Sequence, residues 1–146
     1  MSKVDIRSRL SVGSLQALEL SRQQYASFKS ASTVPLTVMR EGYNHERAYW
    51  NSFMVELPSV RDLALETAHG HVPLRLYRPD MGSPIPVLLY AHGGGYIVGN
   101  LDTHDRICRL LAQRSGWAVL AIDYTLAPEK QFPVRSEEHT SELQSR

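Results

Sequence analysis

The segment that most restricts how this chain can fold is Val87–Ala91, a continuous apolar run that passes directly into His92-Gly93-Gly94-Gly95. A short unbroken apolar run suits a strand buried on both faces. Three successive glycines at its exit let the backbone adopt conformations closed to other residues. After the glycines, Asp102 or Thr103 can cap a helix whose apolar positions Ile107, Leu110 and Leu111 follow helical spacing. Ser115-Gly116 ends that helix, and Trp117–Ile122 reads as a second buried strand. Buried strand, helix and buried strand in succession predict an α/β fold with a parallel pair joined by a crossover.

The segments before this unit have a different rhythm. Val60–Thr67 and Val72–Arg78 alternate in the manner of strands, and Ala68-His69-Gly70-His71 between them reads as a hairpin turn. Ser14–Ser30 reads as a helix with Leu15, Leu18, Tyr25 and Phe28 on one face, broken by Val34-Pro35. Glu41–Phe53 carries another helix or irregular turn, with Tyr43, Tyr49, Trp50 and Phe53 as its apolar content. A chain of 146 residues corresponds to about one domain.

Composition narrows the function classes. Sixteen Lys+Arg against 15 Asp+Glu leave a net charge of +1, so nucleic acid is not an expected partner. Cys108 stands alone, which excludes an internal disulfide and suits a reducing, cytoplasmic setting. No apolar run approaches the roughly 20 residues that span a bilayer. The N-terminus lacks the apolar core of a signal peptide, and Asp5 and Glu19 argue against a transit peptide.

Backbone N–H groups of a glycine loop can converge on one point and stabilise a negative oxygen, as in the tetrahedral intermediate of acyl transfer. The C-terminal end of a buried strand is also where open α/β sheets bind ligands. A bare glycine triplet reads equally as a tight strand exit. A phosphate loop is disfavoured: no Gly-x-x-x-x-Gly-Lys occurs, and Gly93-x-Gly95-x-x-x-Gly99 misses the dinucleotide spacing by one residue. Among other candidates, His92, Asp102, His104 and Asp105 make a poor metal set, because adjacent helix residues do not share a face. Cys108, within a helical pattern, reads as a small buried residue. No metal and no organic cofactor are expected.

His-Gly-Gly-Gly after an apolar strand is the oxyanion signature of lipases and esterases of the α/β-hydrolase fold. The stretch from Tyr90 to Asp105, followed by Asp123-Tyr124-Thr125-Leu126-Ala127-Pro128-Glu129 and Phe132-Pro133, resembles the hormone-sensitive-lipase-like esterases, bacterial acetyl esterases in particular. The resemblance implies that Gly94 and Gly95 supply oxyanion N–H donors and that Gly93 shapes the turn. It implies that His92 stiffens the loop and is not the catalytic base, while Asp123-Tyr124 and Ala127-Pro128-Glu129 brace it. It also implies a small ester substrate with a short acyl chain, and cap helices that line its pocket. An amidase or formamidase on the same scaffold is the alternative chemistry. A non-catalytic binding or interaction chain is the alternative outside enzymes.

The same family carries its nucleophile in Gly-x-Ser-x-Gly, with Asp or Glu and then His later in the chain. None of the nine glycines here has Ser two positions later. The triad is therefore expected beyond Pro133. Arg135–Ser145 looks like the in-frame translation of a common sequencing-library adapter, although a genuine acidic helix start is the other reading. The expected organisation is 1–57 as N-terminal cap helices, 58–134 as a partial α/β-hydrolase core and 135–146 as an adapter-derived tail.

Overall fold

The structure is a computed structural model that describes residues 9–25, 34–67, 70–82 and 84–129. Two helices come first, α1 (Val12–Tyr25) and α2 (Leu36–Asn51). Strands β1 (Ser59–Thr67), β2 (Gly70–Arg78) and β3 (Val87–Ala91) follow, then α3 (Asp105–Ser115) and β4 (Ala118–Ile122). The four strands form one sheet in the order β1-β2-β4-β3. β1 and β2 are an antiparallel hairpin, β2 meets β4 antiparallel, and β3 runs parallel to β4. The sheet is therefore mixed, with the expected parallel pair at one side and the hairpin at the other. The turn residues Ala68 and His69, together with Phe28 and the 135–146 segment, lie outside the described residues.

Two apolar clusters lie on opposite faces of β4. Val119 and Ala121 pack with Tyr77, Leu101, Cys108 and Ala112 under α3. Ile122 packs with Val72, Leu74 and Tyr124 on the other face. The pleat explains the division, since Tyr77 pairs with Val119 and Leu74 with Ile122 in the β2–β4 ladder. β4 is thus buried on both faces, as its unbroken apolar run predicts.

Three expectations need correction. β3 carries the same kind of apolar run, yet Val87 and Leu89 are 57% and 48% exposed. Among the described residues β3 has one neighbour, β4, and so sits at a sheet edge. On α3 the buried positions are Asp105, Cys108 and Ala112, whereas Ile107 is exposed. The face turned inward is the one whose Asp105 carboxylate meets Tyr77 and two arginines from below and beside it. On α1, Leu15 and Leu18 stay 38% and 37% exposed, and the helix packs on α2.

The helix boundaries also shift. α2 begins at Leu36, five residues before Glu41, with Pro35 at its N-cap and the Pro35 carbonyl accepting from Met39 N–H. The 3-10 turn that leads into α3 is capped by Asn100, and neither Asp102 nor Thr103 caps α3 itself. Asn100 Oδ1 accepts from the Thr103 N–H at 2.9 Å, and Thr103 Oγ1 accepts from the Asn100 N–H at 2.8 Å. That reciprocal pair has the logic of a capping box. A short 3-10 turn over Asp102–His104 then leads into α3, and Gly116 closes it in the left-handed conformation. Asp102 instead accepts from Arg75 at 2.8 Å. Among the described residues no helix is long and apolar enough to cross a membrane.

Candidate functional site

The glycine segment leaves the C-terminal end of β3, and the segment Asp123–Glu129 leaves the C-terminal end of β4. Because β3 and β4 are parallel, both exits emerge on the same edge of the sheet. α2 crosses this edge and touches both.

Backbone angles distinguish the three glycines. Gly94 has φ +139° and Gly95 φ +60°, while Gly93 has no positive φ. A Cβ on Gly94 would lie 1.9 Å from the Val98 carbonyl oxygen. A Cβ on Gly93 would meet nothing closer than His104 Nε2 at 4.0 Å. The turn is therefore shaped by Gly94 and Gly95, and by a glycine outside the triplet. Gly99 has φ +103°, and a Cβ there would come within 2.5 Å of His92 Nδ1. Tyr96 also holds a positive φ of 61°, a conformation uncommon for a bulky residue.

The loop folds back on itself. The Gly94 carbonyl accepts from the N–H groups of Ile97 and Val98, each at 3.1 Å. Among the described residues no hydrogen bond engages the N–H of Gly93, Gly94 or Gly95. Backbone N–H groups left open in this way are able to receive a negative oxygen.

His92 lies beneath the loop with its side chain almost fully buried. Its Nδ1 donates to the Gly93 carbonyl at 3.0 Å. Its Nε2, 3.5 Å from Asp123 Oδ1, makes no hydrogen bond. The ring is stacked between Tyr124, at a centroid distance of 4.3 Å, and His104, at 5.3 Å. The Tyr124 hydroxyl donates to the His92 carbonyl. This packing holds His92 away from open solvent. His104 is pulled down to about 4, mainly by burial and then by the facing His92 and Arg47. It is therefore neutral at physiological pH, with Thr103 Oγ1 2.9 Å from its Nδ1.

The Asp123–Glu129 segment braces the loop as expected at one point and differently at another. Ala127 N–H donates to the Tyr96 carbonyl at 2.8 Å. Glu129 does not reach the loop itself; its carboxylate pairs with Arg40 of α2 at 2.6 Å. Arg40 Nε in turn donates to the Ile97 carbonyl at 2.8 Å. Arg40 was not among the candidates from sequence. Its partners lie 57 to 89 positions away, and two of them are backbone carbonyls, which no side-chain pattern reveals.

The other candidates have structural engagements. Asp105 is buried and accepts from Tyr77, Arg75 and Arg109, binding α3 to β2. Cys108 is fully buried, and burial, with the nearby Asp105 charge, pushes its thiol up to about 12. Of the aromatic group, Tyr43 faces His104 and carries Arg47 over its ring, whereas Tyr49 and Phe53 pack edge to face with substantial exposure. A cleft of about 360 Å³ opens beside the loop, between Arg40 and Asn44 of α2 and Asp123–Leu126 after β4. A larger cavity of about 460 Å³ lies between α2 and the start of α3 and includes none of the glycine triplet.

Comparison with known proteins agrees with this geometry. A family model described as the α/β hydrolase fold matches residues 88–145, a span that takes in the acidic C-terminal segment. The structure is similar to a hyperthermophilic esterase from the archaeon Pyrobaculum calidifontis, at 34% identity and a TM-score of 0.70, over 72% of this chain and 35% of that one. It is similar to a thermostable carboxylesterase cloned from a metagenomic library, at 30% identity and a TM-score of 0.73, over 78% of this chain and 39% of that one. An ester hydrolase from the metagenome of Lake Arreo aligns at 29% identity with a TM-score of 0.75, over 92% of this chain and 45% of that one. The chain thus spans 35% to 45% of the length of these relatives.

Proposed function

Because this chain belongs to the α/β-hydrolase fold family, we propose that it forms the oxyanion-holding part of a carboxylic-ester hydrolase of the hormone-sensitive-lipase-like kind. The observation that carries this reading is the pair Gly94 and Gly95. Both have positive φ, both stand at the C-terminal end of a parallel strand, and neither N–H is engaged by another described residue. In the reaction a serine attacks the ester carbonyl, and the carbonyl oxygen becomes an oxyanion. The N–H groups of Gly94 and Gly95, with one beside the serine, hold that charge; removing one such donor typically costs about 3 kcal/mol of barrier. His92 supports the loop from below, through its Nδ1 bond to the Gly93 carbonyl.

The nucleophile and its Asp/Glu and His partners belong to polypeptide beyond Pro133, and the 146-residue chain is inactive without them. Residues 1–57 form the cap that lines the substrate pocket, 58–134 form the partial core, and 135–146 are adapter-derived. The substrate is a small short-chain ester, the compartment is the cytoplasm, and the chemistry uses no metal or organic cofactor.

The test has two arms. The 146-residue chain should release no p-nitrophenol from p-nitrophenyl acetate beyond a heat-inactivated control. The reading frame continued past codon 134 into a Gly-x-Ser-x-Gly segment should give saturable turnover, abolished by replacing that serine with alanine. Saturable turnover by the 146-residue chain would refute the missing-nucleophile argument. A genuine stop after codon 134 in independent reads would favour a non-catalytic chain.

A further inference from the structure

The loop proposed to hold the oxyanion is tied to the helix that crosses it by one side chain. Arg40, on α2, makes four hydrogen bonds to three residues. Nε donates to the Ile97 carbonyl at 2.8 Å, and Nη2 to the Ala127 carbonyl at 2.9 Å. Nη1 and Nη2 donate to the two oxygens of Glu129, at 2.6 and 2.9 Å. Ile97 belongs to the glycine loop, whereas Ala127 and Glu129 belong to the exit from β4. Ala127 also donates its N–H to Tyr96. The two exits therefore meet at one guanidinium.

From that guanidinium a short mechanical path leads to a donor. The Ile97 carbonyl is held by Arg40 and the Ile97 N–H by the Gly94 carbonyl. The Gly94 carbonyl and the Gly95 N–H are the two ends of one planar trans peptide, so they point in opposite directions. Fixing the first fixes the second. At this level of precision a misplacement of 1 Å costs about a hundredfold in rate.

We propose that Arg40 is a positioning residue for the oxyanion loop: held by Glu129, its guanidinium fixes the Ile97 carbonyl and, through the bond from Ile97 to Gly94, the direction of the Gly95 N–H. The catalytic part of this statement rests on the ester-hydrolase reading above. Lysine cannot substitute fully, because four bonds in a fork need the planar guanidinium. The Glu129 carboxylate is held down to about 2, chiefly by its hydrogen bond from Arg40, so the pair is ionised at neutral pH.

Two measurements test it. The first is amide hydrogen exchange on the 146-residue chain, which does not depend on activity. Arg40→Lys should speed exchange at Ile97, Val98 and Ala127 by about tenfold, since local opening energies set these rates, while the β2–β4 ladder amides stay unchanged. Unchanged Ile97 and Val98 rates in a chain with an intact ladder would overturn the proposal. If Arg40→Lys disrupts the ladder, Glu129→Gln, at an exposed carboxylate, decides by the same readout.

The second measurement uses the serine-bearing longer chain. Arg40→Ala should lower kcat by about tenfold, with KM within about twofold, because the interaction lost acts on the transition state. Added guanidinium ion, but not sodium chloride at equal ionic strength, should restore part of kcat. A raised KM with unchanged kcat, or a kcat loss that guanidinium leaves untouched, would overturn the positioning role. No hydrolysis by the longer chain at all would sink the ester-hydrolase reading, and hydrogen exchange would still decide whether Arg40 sets the loop.

Discussion

Replacing the loop glycines one at a time by alanine should give three different costs from one chemical change. At Gly94 the added Cβ would stand 1.9 Å from Val98 O and 2.7 Å from Val98 C. Both are backbone atoms, so no side-chain rotation relieves the contact. The Val98 peptide must move by more than an ångström, which breaks the bonds from Ile97 and Val98 N–H to the Gly94 carbonyl. A φ of +139° is also closed to alanine. Backbone strain of roughly 1–3 kcal/mol and about 1 kcal/mol for each lost hydrogen bond sum to roughly 3–5 kcal/mol. At Gly95 the φ of +60° is left-handed but the space is open, so the cost is about 1–2 kcal/mol. At Gly93 the added methyl makes an ordinary contact, and the change stays within about 0.5 kcal/mol. Urea unfolding followed by Trp50 and Trp117 fluorescence measures all three. Equal costs at Gly94 and Gly95, or a large cost at Gly93, would refute the loop geometry described above.

Two further outcomes follow from buried titratable groups. His104 is held at about 4, below its ordinary 6.5, because burial and the neighbouring His92 and Arg47 disfavour its charged form. The folded chain therefore binds fewer protons than the unfolded one in that window. Stability is full above about pH 6.5 and falls as pH drops toward 4. His104→Phe, which keeps a ring beside His92, should flatten that slope in urea titrations at several pH values; an unchanged slope would contradict the assignment. Cys108 is fully buried with its thiol pushed up to about 12. Ellman's reagent at pH 8 should leave it unlabelled in the native chain and label it fully in urea, and native labelling at the rate of a free thiol would exclude the packing around α3.

The α/β order was legible because it depends on local pattern. β4 shows this best, since its apolar run is packed on both faces. β3 carries an equivalent run, yet its outer side is exposed. An apolar run reports that a strand can be buried; it does not report which strand lies beside it. The inward face of α3 was misread for a related reason. Asp105 is acceptable in the interior only because Tyr77, Arg75 and Arg109 converge on it, and two of these three, Tyr77 and Arg75, lie 28 and 30 positions away on β2. The glycine triplet was legible as a motif, but not the differing demands on its members. Gly99 looked like a failed nucleotide motif, whereas its missing Cβ makes room for His92. Arg40 left no signal, because two of its three partners are backbone carbonyls brought near by the fold.

The parallel arrangement of β3 and β4 is what lets so small a set of residues form a site. Parallel strands deliver their C-terminal ends to the same edge, so the glycine loop and the Asp123–Glu129 segment emerge side by side. An antiparallel β4 would carry Asp123 to the opposite edge, as β1 and β2 show by pairing Ser59 with Arg78 at one end and Thr67 with Gly70 at the other. His92 could then find neither the Tyr124 ring nor the Asp123 carboxylate. Arg40 would have Ile97 without Ala127 and Glu129. The glycines alone supply conformational freedom, which by itself leaves N–H groups free to point anywhere. Direction comes from the second exit and from the helix laid across both, and both depend on the crossover through α3 that makes the two strands parallel.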